Sequence, residues 1–149
     1  MRYSESKQGR VFVIRFENGE IIHESIEKFA VQHSVNAASL VVVGAIDAGS
    51  KLVVGPKEGR TKEIEPVIYV TEEVHEVTGT GTLFVDNGGM PFLHMHLACG
   101  RGISTVTGCI RSGVKVWHIL EVILSELIDC EARRVSSAVF GNKFKLLEP

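Results

Sequence analysis

From Arg10 to Phe16 apolar and polar positions alternate, with Val, Ile and Phe as the apolar set, and Glu17-Asn18-Gly19-Glu20 then supplies turn residues. A strand entering a turn is expected there, because side chains two apart share one face of an extended chain. The period then changes. Ile22, Ile26, Phe29 and Ala30 recur at helical spacing, with Glu24, Glu27 and Lys28 on the other side. That pattern predicts an amphipathic helix from Glu20 to about His33. Ser39–Ile46 is a continuous apolar run of the kind carried by a strand buried on both faces, and Gly44 within it marks a bulge or a close backbone approach. Further strands are expected at Lys51–Val54, Ile64–Val70, Val74–Val85, Phe92–Cys99, Ser104–Arg111 and Val114–Leu127. Val135–Phe140 and Phe144–Leu147, around Gly141-Asn142-Lys143, read as a last hairpin.

Many strands, one principal helix and no regular strand–helix–strand alternation predict an α+β fold with a mainly antiparallel, twisted sheet. The 149 residues fit a single domain spanning 1–149. Lys and Arg number 16 against 18 Asp and Glu, so the net charge of −2 excludes a broadly cationic surface for nucleic acid; DNA contact needs a local patch. Three cysteines, at 99, 109 and 130, show no CxxC spacing, which argues against a disulfide framework and for a reducing, cytoplasmic setting. The polar start MRYSESKQGR has no apolar signal region, and no run of about 18 uncharged apolar residues offers a membrane span.

The candidate chemistry lies in the histidines. His23, His33, His75, His94, His96 and His118 are scattered except for His94 and His96, which stand two apart in Phe92-Leu93-His94-Met95-His96-Leu97. On a strand both imidazoles point to one face, close enough to share a metal ion. If Gly100–Ile103 is one hairpin loop and Ser112-Gly113 the next turn, the register places His96 opposite Thr107 and His94 opposite Cys109. The second turn then sets His118 opposite Thr107 and Val116 opposite Cys109. His94, His96, Cys109 and His118 would share one face of three adjacent strands about 4.8 Å apart. A slip of one residue sends Cys109 or His118 to the other face. His118 is the preferred third ligand, for its reach, and Cys109 the alternative. His23 and His33 read as surface or capping residues and His75 as part of a solvated strand face.

The passage Pro91-Phe92-Leu93-His94-Met95-His96-Leu97-Ala98-Cys99-Gly100-Arg101, then Thr107-Gly108-Cys109 and Glu121-Val122-Ile123-Leu124, resembles prokaryotic members of the plants-and-prokaryotes conserved domain. The resemblance extends to the first strand and helix and to Gly44-Ala45-Ile46. It implies an α+β fold, a homotrimer, and a DNA-binding-like assignment inherited from plant members that carry AT-hooks. No R-G-R-P core of an AT-hook occurs here. The resemblance also places a histidine where this chain has Cys109, and thiolate can replace imidazole on zinc.

No GxxxxGK[ST], HExxH or GxSxG is present, and Gly79-Thr80-Gly81-Thr82 suits a strand bulge better than a phosphate cradle. Arg101 could stand at the mouth of the histidine pocket, whereas Arg133-Arg134 and Lys143–Lys145 read as solvated charge. Trp117 is expected in the core or at a subunit contact. Two functions follow: a zinc-holding regulatory or ligand-sensing domain, and, as the alternative, an enzyme using zinc-bound water on a small substrate.

Overall fold

The structure is a computed structural model and describes residues 1–61, 64–111, 113–137 and 145–149. Among the described residues ten strands and one helix follow in the order β1 (Lys7–Glu17), α1 (Ile22–Gln32), β2 (Ala37–Ile46), β3 (Lys51–Pro56), β4 (Pro66–Val70), β5 (His75–Val85), β6 (Pro91–Arg101), β7 (Ser104–Ile110), β8 (Val116–Ile128), β9 (Arg133–Ser136) and β10 (Lys145–Glu148). Eight strands form one sheet in the order β1-β8-β2-β5-β6-β7-β3-β4, every pairing antiparallel, and β9 pairs with β10. This is the expected α+β class. Of the last hairpin, β9 and β10 are paired, while residues 138–144, which hold the expected turn and part of both expected arms, lie outside the described residues.

Period-two burial builds the sheet. On β6 the side chains of Leu93, Met95, Leu97 and Cys99 are at most 5% exposed, and Leu40 and Val42 on β2 and Leu120, Val122 and Leu124 on β8 continue the same core face. Helix α1 lays Ile22, Ile26 and Ala30 on that face and packs against β6. Its ends are modest. Ile21 offers no capping side chain, while His33 closes the helix with its N–H on the Phe29 carbonyl, so that residue does cap. Glu27, on the polar flank, accepts the Leu93 backbone N–H at 2.9 Å and ties the helix to the first half of β6, which β7 does not reach.

Strand β2 is buried on one face rather than both, with Val41 and Val43 51% and 55% exposed on the other. Two further sequence expectations change. Gly79 and Gly81 form no bulge: β5 stays in register with β2 and β6 through both. They make room instead. A Cβ on Gly79 would collide with the His96 carbonyl and meet the Leu97 side chain at 2.5 Å. The second change is larger. Strands β7 and β8 form no hairpin, because β8 inserts between β1 and β2 while β7 pairs with β6 and β3. Ser112 of the expected turn lies outside the described residues. Gly44, by contrast, does sit at a register break against β8, with its Cβ position 2.6 Å from the Ile119 carbonyl.

Gly79→Ala is therefore expected to destabilise the fold by ~1–3 kcal/mol, since β6 must shift to admit the methyl group. Urea unfolding should show a lower midpoint with unchanged slope; parental stability would mean that β5 and β6 are looser than drawn.

Candidate metal centre

His94 and His96 stand outside the core because their neighbours Leu93, Met95 and Leu97 are inside it. The two rings lie 5.2 Å apart between centroids, with their Nε2 atoms 3.3 Å apart. Two imidazole nitrogens bound to one tetrahedral zinc at about 2.0–2.1 Å are separated by about 3.3 Å, so the pair already has that spacing. The third donor comes from β7. The Gly102-Ile103 turn is tighter than the expected four-residue loop, and His96, not His94, faces Cys109. A slip of two keeps the face unchanged. The ligand atoms of His94, His96 and Cys109 all lie within 4.8 Å of one another. Two imidazoles and a thiolate make a donor set that fits zinc with one position open.

His118 is not brought to this group. It sits on β8, separated from β6 by β2 and β5. Its φ of +58° places it in the irregularity opposite Ala45, where its N–H donates to Asn18 Oδ1 at 2.9 Å. The reason is strand order, which no counting along a presumed hairpin could supply. Trp117 is half-buried and packs its ring against His118. His75 is buried rather than solvated, its Nδ1 2.8 Å from the Glu73 carbonyl. His23 is half-buried, with its Nδ1 unpartnered.

The surroundings of His94 are cationic. Thr82 faces His94 across β5 and β6, and Arg134 Nη2 donates to the Thr82 hydroxyl at 2.8 Å. The bridge between Asp86 and Arg134 brings β9 to this end of β5. Arg111 and Lys145 lie over the Phe92 ring at 5.9 and 4.9 Å, and Arg134 over Phe84 at 5.7 Å. Sequence reading passed over Arg111, took Arg134 for solvated charge although it is buried, and pointed to Arg101, which instead donates to the Val74 carbonyl at 3.0 Å. The available signal was the alternation in β9, where Arg133 is exposed and Arg134 is buried.

A cavity of about 670 Å³ opens beside the triad, lined by both histidines, Cys109, Thr107, Arg111 and apolar residues of β3, β4 and the intervening segment, among them Val53, Val54, Ile64 and Pro66. A second, of about 300 Å³, shares His94, Arg111 and Ile64 with it and adds Arg134, Lys145, Leu146 and Leu147.

The sequence profile of the Plants and Prokaryotes Conserved domain matches residues 3–128. The chain belongs to that family. No characterised protein matches it by sequence. Among solved structures it is similar to a plant- and prokaryote-conserved protein of Pyrococcus horikoshii, with TM-score 0.83 and 20% identity over 100% of this chain and 98% of that one. A metal-containing protein of Archaeoglobus fulgidus gives TM-score 0.82 and 22% identity over 100% of both chains. A candidate DNA-binding protein of Bacteroides thetaiotaomicron gives 0.75 and 16% over 96% of both. At these identities the structures share the fold.

Burial, then the charges of Arg134, Arg111 and His96, pushes His94 down to about 4, so its ring is neutral near pH 7 with a lone pair for a metal. The folded value lies below the ordinary 6.5. The unfolded chain therefore takes up this proton first as pH falls, and the contribution present above pH 6.5 is lost between about 6.5 and 4. Against His94→Gln, chelator-treated wild-type protein should lose thermal stability over that window. Parallel melting curves from pH 7 to 4 for the two proteins would contradict the depressed value.

Proposed function

We propose that this domain holds a zinc ion on His94, His96 and Cys109, which line the larger cavity, and serves as a ligand-sensing, regulatory module. The observation that carries this reading is the 3.3 Å spacing of the two Nε2 atoms with the Cys109 donor on the same face within 4.8 Å. The Archaeoglobus fulgidus neighbour, called metal-containing, supports it. When bound, the ion supplies a Lewis-acidic position for an oxygen or nitrogen of a ligand. The chain's own residues orient and shield it: Met95 and Leu97 anchor the strand from the core side, and β3 covers Cys109 through the Val53 pairing. Binding is favoured over turnover because the described residues lining the two cavities include arginines but no carboxylate to move a proton.

DNA association is the weaker element. It is supported by the Bacteroides neighbour's description rather than by the net charge of −2, and a low-salt shift assay tests it. Self-association into a trimer has physical support in an apolar outer row, Val13, Ile123 and Val41, which the register sets side by side on β1, β8 and β2. These are 81%, 38% and 51% exposed. Among the described residues no helix is long and apolar enough to cross a membrane.

Elemental analysis of purified protein should find one zinc per chain, abolished by His94→Ala or His96→Ala, strongly reduced by Cys109→Ser and unchanged by His118→Ala. Zinc that survives Cys109→Ser but vanishes with His118→Ala would sink the assignment. Light scattering on the size-exclusion peak should give three chains, reduced to one by Val13→Glu; a monomeric wild type at micromolar concentration would refute the trimer.

A further inference from the structure

Arg134 is a buried cation with no anion beside it among the described residues. It is 6% exposed, its Nε is enclosed, and among the described residues its guanidinium hydrogen-bonds only to a neutral hydroxyl, that of Thr82. Among the described residues no carboxylate forms an ion pair with it. Burying a guanidinium this way is unfavourable, and the neighbouring positive charge of Arg111 adds to the cost. Asp86 answers Lys145 at 2.7 Å, whereas no such carboxylate among the described residues answers Arg134. Arg134 lines the smaller cavity, and an oxyanion held there would neutralise the group.

The larger cavity adds a different requirement. Its walls are Val53, Val54, Ile64, Pro56 and Pro66, and it meets the smaller one at His94, Ile64 and Arg111. Its volume of about 670 Å³ lies within the range that encloses a small organic molecule. We propose that the joined cavities bind an amphipathic organic acid, its carboxylate or phosphate head on Arg134 with Arg111 and Lys145 around it, and its apolar body along β3 and the approach to β4. This deepens the ligand-sensing reading, since the head lies next to the His94 ligand position, but the arginine subsite does not need the metal to exist.

Isothermal titration with octanoate and octyl phosphate, against uncharged 1-octanol and the body-less acetate and inorganic phosphate, separates head from body and carboxylate from phosphate. At least one of the two acids should bind, with octanol, acetate and inorganic phosphate each weaker by at least about tenfold. Arg134→Gln should weaken the acid by about tenfold or more and leave octanol unchanged. Should that variant fold poorly on thermal melting, Arg111→Gln, at an exposed position, is expected to weaken the acid in the same selective way. Equal affinity for acid and octanol, loss of neither acid on both arginine changes, or no binding of any probe would overturn the proposal. The series is run on zinc-loaded and chelator-stripped protein with metal content measured on each sample. Arginine-dependent acid binding in protein that never takes up zinc would reject the metal reading and keep this one; zinc uptake without acid binding would do the reverse.

Discussion

The alternation of β6 is the constraint on which the rest depends. Leu93, Met95, Leu97 and Cys99 must face the core, where they meet Ile22, Ile26 and Ala30 of α1, and period two then sends His94 and His96 to the other side together. Burial also raises the Cys99 thiol to about 11, so this cysteine is an inert core residue while Cys109, on the opposite face, is the one placed to ligate. The Glu27 carboxylate on the Leu93 N–H takes the place of a neighbouring strand where β7 does not extend. The space beside His94 follows from that same divergence.

The outer face carries one transverse row through all eight strands: Val13, Ile123, Val41, Thr80, His96, Cys109, Val53 and Ile68. Its two ends differ chemically. The β1-β8-β2 end is apolar and exposed, suited to contact with another copy, whereas the β6-β7-β3 end holds the nitrogen and sulfur donors.

Electrostatics set the kind of ligand the site can take. Arg134, Arg111 and Lys145 surround His94 on a floor made by Phe84 and Phe92, directly paired across β5 and β6. The chain as a whole is slightly acidic, with its buried carboxylate Glu126 engaged by Arg10 at 2.6 Å on the far side of the sheet order. The positive field is thus local, and it belongs to the cavity rather than to the molecule. Such a placement favours a small anion over a polyanion.

What the sequence determined by itself was everything that depends on local period: the helix near Ile22–Gln32, most strands, the shared face of His94 and His96, and through its motif the family. The tertiary structure alone decided which strands meet. Leu120, Val122 and Leu124 of β8 find their places between β1 and β2, so His118 leaves the group and Cys109 completes it. Arg134, more than 20 residues beyond Cys109, reaches His94 only because β9 folds back onto the end of β5. A strand's alternation is written in neighbouring residues. Its partner is chosen by the free energy of closing a common core over long stretches of chain, and nothing in the local pattern records that choice.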